Sequence, residues 1–266
     1  MPATDRFEQQ GEQHGSNRAC YVYGIVPADV EVDPDARGVG DPPAQVQLVR
    51  HNGIAALMSE IDVSKPLGRP EDLVAHQGLL DAAAAEAPVL PLRFGAAVTG
   101  PQAVVDELLA PHHEEFAAAL DELEGRAEFV IKGRYVEDSV LKEVLSEVPE
   151  AARLREQIRA AGNGQATREL RIRLGEIVTN VISAKREEDT RKLGDAIAPY
   201  CVASNVREPT HEEEAVNLAA LVETARQAEL ERAVEKLAAD WDGRVELRVL
   251  GPLAPYDFVT TTIPQG

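Results

Sequence analysis

The 266 residues carry 46 acids against 27 bases, a net charge of −19, with 44% hydrophobic and only 4% aromatic residues. This is the composition of a folded chain with an aliphatic, alanine-rich core, long enough for one large domain or two modest ones. The acidic excess excludes a general nucleic-acid binder, which needs a basic face, and an electrostatic dock on anionic lipid.

No apolar run approaches the ~20 residues needed to span a bilayer. The opening residues 1–19 lack an apolar stretch of signal-peptide type and read as a flexible polar tail. Cys20 and Cys201 each sit in an apolar, strand-like run. They read as reduced core thiols of a cytoplasmic protein, with no disulfide framework, metal cage or cofactor implied.

Along the chain, CYVYGIV (20–26) predicts a strand that Pro27 ends. A Pro- and Gly-punctuated stretch follows. Residues 45–51 and 54–61 predict a hairpin turned at Asn52-Gly53, since both turn residues tolerate positive φ. A helix is expected over 70–86, opened by Pro70 with Glu71 and Asp72 in its first turn. PVLPLRFGAAV (88–98) reads as a buried strand, followed by a helix over 101–123 with a break at Pro111.

A second unit begins near 126. AEFVIKGRYVE (127–137) alternates as a half-buried strand should. Helical sequence fills 138–195, interrupted at Pro149 and Gly162-Asn163-Gly164, with Leu170, Leu174, Ile177, Val178 and Val181 on one stripe. Strands are expected at 200–208 and 215–224, an amphipathic helix at 225–240 and a last strand at 244–251. The expected fold is α+β in two domains. Residues 20–125 form an N-terminal α+β domain of undetermined topology, and 126–251 form a β-α-β-β-α-β, ferredoxin-like domain. Residues 252–266 form a C-terminal tail packing on the body.

Motifs for catalysis are missing: no G-x-S-x-G, P-loop, G-x-G-x-x-G or H-E-x-x-H occurs. His112-His113-Glu114-Glu115 invites a metal reading, but adjacent helical residues point about 100° apart, which favours a solvated face. His211 with Glu212, Glu213 and Glu214 reads as a solvated loop. Charge is uneven. Residues 101–150 hold thirteen acids against four bases, whereas 151–175 hold six arginines against two acids. Arg153, Arg155, Arg159, Arg168, Arg171 and Arg173 either pair with the protein's own acids or form a docking surface for an acidic partner. Arg93, inside a run that looks buried, calls for a carboxylate or carbonyl partner or a ligand. The closing Gly251-Pro252-Leu253-Ala254-Pro255-Tyr256-Asp257-Phe258-Val259 is stiff and apolar and must pack on something, most simply its own domain.

Three segments in this order resemble the gas vesicle GvpF/GvpL family: Tyr21-Val22-Tyr23-Gly24-Ile25-Val26, Val89-Leu90-Pro91-Leu92-Arg93-Phe94-Gly95, and Gly251 to Phe258. The resemblance covers roughly 20–259. It departs at Ala96, where the family typically has threonine, and at Ala254 and Asp257 in the closing motif, which typically reads Pro-Pro-Tyr-Ser-Phe. The resemblance implies two α+β domains, the second a modified ferredoxin-like fold. It also implies a non-enzymatic, cytoplasmic accessory protein and minor vesicle component. Its implied partners are the hydrophobic shell protein GvpA, whose aggregation it limits and whose nucleation into vesicles it helps, and other gas vesicle proteins. Neither nucleic acid nor membrane is an expected partner. Candidate contacts are the six arginines with Tyr256 and Phe258, and Arg93, Phe94 and Gly95 form a structural motif. The competing reading is a ligand-binding regulatory module, by analogy with other ferredoxin-like domains.

Overall fold

A computed structural model of the chain describes residues 17–161 and 165–259. The expected tail at 1–19 lies outside the described residues as far as residue 16, and the Gly-Asn-Gly break and 260–266 lie outside them altogether.

The first half is built on strand β1 (Arg18–Pro27), with β2 (Val46–His51) and β3 (Ile54–Asp62) forming the hairpin. Asn52 at φ 44° and Gly53 at φ 90° make the tight turn whose twist matches the strands it joins. Helix α1 (Pro70–Glu86) follows, started by Pro70 and by the Asp72 carboxylate, which accepts from the Arg69, Gly68 and Gly40 amides at 3.1, 3.2 and 2.9 Å. The buried residues of α1 are Asp72, His76, Leu80 and Ala84, a strict i+4 stripe.

The run 88–98 is two short strands, β4 (Leu90–Pro91) and β5 (Ala97–Val98), that pair with different stretches of β1. The chain then forms α2 (Pro101–Ala103), a π-helical turn over Val104–Leu109, and α3 (His113–Leu123). All pairings are antiparallel, in the order β2-β3-β1-β4 with β5 also on β1. Apolar side chains of β1 alternate between two cores. Cys20 and Val22 face the π-helical turn and α3, and Tyr21 and Tyr23 face α1. A bulge between Val22 and Gly24 shifts the alternation, so that Ile25 rejoins the first core and Val26 the second.

The second half contains β6 (Arg126–Tyr135), α4 (Glu137–Glu147), α5 (Pro149–Ala161), α6 (Gln165–Ile197), β7 (Ala203–Val206), β8 (Glu214–Glu223), α7 (Gln227–Asp240) and β9 (Val245–Leu253). The sheet is antiparallel in the order β7-β8-β6-β9. Its helix-side face carries Phe129, Ile131, Leu218, Ala220 and Val245, which pack with Leu193 and Ile197 of α6, Leu230 and Val234 of α7, and Trp241. The other face meets the first half, where Leu221 of β8 joins the core beneath α3. The fold is therefore α+β with two antiparallel sheets.

Candidate functional site

Three segments far apart in sequence converge on one histidine. Tyr21 comes from β1, Phe94 from the turn after β4, Tyr256 from beyond β9, and His76 lies at the middle of the buried stripe of α1. Tyr21 Oη is 2.9 Å from His76 Nδ1, and Tyr256 Oη is 2.9 Å from His76 Nε2. The Gly95 amide donates to Tyr21 Oη at 3.2 Å, and Tyr256 Oη lies 3.4 Å from the Leu92 carbonyl. One assignment satisfies every atom. Tyr21 donates to Nδ1, the Nε2 hydrogen goes to Tyr256, and Tyr256 donates to Leu92. That fixes His76 as the neutral Nε2–H tautomer, in keeping with burial that lowers its pKa from the usual 6.5.

The His76 ring packs edge to face on Tyr21 and Phe94 and is tilted against Tyr23. His76 lies 5.5 Å from Phe94 and 5.7 Å from both Tyr21 and Tyr23. Tyr23 extends the network, accepting from the Val39 amide and donating to Ser59 Oγ, both at 2.9 Å. Burial raises the Tyr21 and Tyr256 phenols well above their ordinary value, so each remains a hydrogen-bond donor at neutral pH.

The closing segment is held at a second point. Asp257 receives Arg207 Nε at 2.8 Å and also Arg207 Nη2, which reaches Glu128 Oε1 at 2.7 Å. The Asp257 amide donates to Glu128 Oε2 at 3.0 Å, and Asn205 Nδ2 to the Asp257 carbonyl at 2.7 Å. Glu128 is 1% exposed, and burial raises its carboxyl pKa, opposed by the Asp257 amide and Arg207 while the Asp257 carboxylate adds to the rise. The Ala254 amide donates to Asp81 of α1 at 3.0 Å. Phe258 and Val259 pack on the first-half core and, with Phe116, Leu123 and Leu221, line a cavity of about 250 Å³. Residues 254–259 thus touch both sheets, with Tyr256 on α1 of the first and Asp257 on β6 and β7 of the second.

Gly251 is what lets the chain turn into this seat. Its φ is +146°, and a Cβ there would stand 2.6 Å from the Phe129 ring and 2.9 Å from the Glu128 carbonyl.

Arg93 departs from expectation. It is exposed and meets no carboxylate among the described residues, because the chain leaves the sheet after Pro91 and turns through Gly95 at φ +97°. Its neighbours Leu92 and Phe94 point inward instead, and the Phe94 ring joins the His76 cluster. The six arginines are all exposed on α5 and the start of α6. Arg173 pairs with Glu150 and Arg159 with Glu156 at 3.8 Å, and Arg153 Nε donates to the Pro149 carbonyl at 3.2 Å. They lie on a different part of the molecule from Tyr256 and Phe258. The apolar stripe of α6 from Leu170 to Val181 is only half-buried.

His113 Nε2 donates to the Asn52 carbonyl at 2.7 Å and His112 faces Glu115 at 3.5 Å. Among the described residues no group of three or more His, Cys, Asp or Glu side chains is placed to hold a metal ion, and no helix is long and apolar enough to cross a membrane. Burial raises the Cys20 thiol pKa and pushes that of Cys201 up to about 11, so neither is an activated thiolate.

His76 and Arg207 carry no motif in the sequence. The one available signal for His76 was its place between Asp72 and Leu80 on an i+4 stripe, which puts a polar ring on a buried face.

Residues 19–260, a span that takes in all three converging segments, match the family model described as gas vesicle synthesis protein GvpL/GvpF. The chain belongs to the GvpF/GvpL family. It is 36% identical over 246 residues to gas vesicle protein F of a Streptomyces strain, covering 91% of this chain and 99% of that one. Gas vesicle protein L of the same strain is 28% identical, with 91% and 93% covered. The crystal structure of GvpF from Anabaena shares the fold at a TM-score of 0.73 and 24% identity, covering 92% of this chain and 99% of that one. That of GvpF from Microcystis aeruginosa gives 0.70 and 21%, covering 90% and 98%. Membership of the GvpF/GvpL family implies a role in gas vesicle synthesis and association with other gas vesicle proteins.

Proposed function

We propose that the chain is a non-catalytic accessory factor of gas vesicle assembly, cytoplasmic and a minor vesicle component. It binds the hydrophobic shell protein GvpA, limits its aggregation and helps nucleate the vesicle. The observation that carries this reading is the family match across 19–260, which includes every segment of the His76 joint.

Physical features support it. A holder of an aggregation-prone subunit needs apolar contact points in a highly charged body. This chain exposes Leu73 and Val74 on α1 and Val202 and Val206 at the edge of the second sheet within a body of net charge −19. In this reading the chain has two domains, 20–125 and 126–251, joined by the closing segment. The second is a modified ferredoxin-like domain, a reading supported by the strand order β7-β8-β6-β9 with α4–α6 and α7 as its crossovers. The exposed arginines of α5 and α6, together with Tyr256 and Phe258, are the proposed contact residues, and Arg93, Phe94 and Gly95 form the turn that completes the joint.

Deleting the gene while leaving the other vesicle genes intact tests the role. Vesicles should disappear or shrink while the shell protein is still made. Normal flotation of the deletion strain contradicts the proposal.

A further inference from the structure

We propose that β7, the outer strand of the second sheet, accepts a further strand from a vesicle protein. The incoming segment is extended and apolar, with a lysine or arginine at the end that lies against Glu208 and Glu212. This rests on the assembly-factor reading above and names the surface and the chemistry of the partner segment.

The order β7-β8-β6-β9 leaves one side of β7 without a neighbouring strand among the described residues. Ala203, Ser204, Asn205 and Val206 stand opposite Leu221, Ala220, Ala219 and Leu218 of β8, with no bulge between them. The Arg207 amide donates to the Asn217 carbonyl at 2.9 Å, which fixes the phase of the ladder. Residues two apart in an antiparallel strand turn their backbone groups to the same side. Ala203 and Asn205 therefore address β8 with Arg207, and Ser204 and Val206 turn N–H and C=O outward. The side chains agree. Asn205 and Arg207 both reach Asp257, on the face toward the first half. Val206 accordingly lies on the other face, beside Leu218 of the helix-side core.

This edge is open and apolar. All four residues of β7 are exposed, Val206 to 67%, and Val202 just before the strand is 47% exposed. Strand edges are commonly guarded by a charge, a proline or a bulge that keeps other strands away. The opposite edge, β9, carries Glu246, Arg248 and Pro252, whereas Ala203–Val206 has no such guard. An added strand would find two N–H and two C=O groups to pair with, and its alternate side chains would cover Val206. Charge selects the occupant. A second copy would bring another net −19 against the edge. Glu208 and Glu212, exposed just past β7, form no ion pair among the described residues. An apolar segment with a cation at that end is their complement.

The test uses the full-length chain, tagged and co-expressed with the shell protein GvpA, and compares the captured complex with the free chain. Amide hydrogen exchange at Ser204 and Val206 should slow about tenfold or more in the complex. V206K places a guard on the edge and should capture about tenfold less GvpA. V63K, a change at a valine 56% exposed elsewhere on the surface, should capture as the unmodified chain does. Unchanged exchange at Ser204 and Val206 in the captured complex, or equal capture by V206K, overturns the edge site and leaves the assembly role standing. A dimer of the free chain in sedimentation that V206K dissolves assigns the edge to a second copy and overturns the proposed partner. Failure of the unmodified chain to capture GvpA overturns both readings.

Discussion

His76 bridges two tyrosines from opposite ends of the chain, so single-atom changes there should be felt. Removing the Tyr256 hydroxyl in Y256F costs His76 its Nε2 acceptor, and a loss of about 1–2 kcal/mol in urea unfolding is expected. The pH dependence has a definite sign. Because burial lowers the His76 pKa below 6.5, the unfolded chain takes up the proton first as pH falls. Stability should therefore decline on going from pH 6.5 to 5.5, with a slope of at most ~1.4 kcal/mol per pH unit from this group. In H76Q that contribution should be missing, so the stability advantage of the unmodified chain over H76Q should shrink as pH falls from 6.5 to 5.5. Glu128 acts in the opposite direction. Its raised pKa favours the folded state at low pH and costs stability as pH rises above 4.5, so only the difference between the two proteins isolates His76. The importance of this residue was hardly legible in the sequence. A histidine in a helix of alanines and acids looks solvated, and its i+4 relation to Leu80 becomes informative only once the buried face is known. Arg93 failed in the other direction. Apolar neighbours suggested burial, but two prolines and a positive-φ glycine made that stretch a turn.

Elements defined by local chemistry were readable. The Asn52-Gly53 hairpin and α1 over 70–86 form where turn and capping residues dictate, because those signals act within a few residues. The run 88–98 was misread as one strand, since a continuous apolar segment does not reveal which strand it pairs with. The stripe on α6 was legible as a periodicity, but it is only half-buried, since coverage depends on what packs against it rather than on spacing. At this scale the joint between β6, β7 and the closing segment is the sharpest test. R207M leaves the buried Glu128 and the half-buried Asp257 without their cation. A loss of about 2–3 kcal/mol is expected, less than for a fully buried pair because Arg207 is a third exposed. The double variant R207M/E128Q should recover part of that loss, measured as the shift in urea midpoint. G251A should destabilise by about 2 kcal/mol or more, because its Cβ would strike the Phe129 ring and the Glu128 carbonyl.

For the whole molecule, the closing segment fastens the two halves. β1 supplies Tyr21, and the closing segment supplies Tyr256 to α1 and Asp257 to β6 and β7. A chain ending at Leu253 loses the Tyr256 and Asp257 contacts at once. Calorimetry should show it melting at lower temperature, with the single transition broadening or splitting as the two sheets unfold separately. The acidic total, legible from composition alone, sets the charge of the body, and the arginine-rich stretch 151–175 is a local exception to it. The central claim is that this body holds a hydrophobic shell subunit, and sedimentation of GvpA in the presence of the purified chain tests it most directly. GvpA should stay in the supernatant in a complex of defined stoichiometry. GvpA that pellets as it does alone, with no association even when the other vesicle proteins are added, would contradict it.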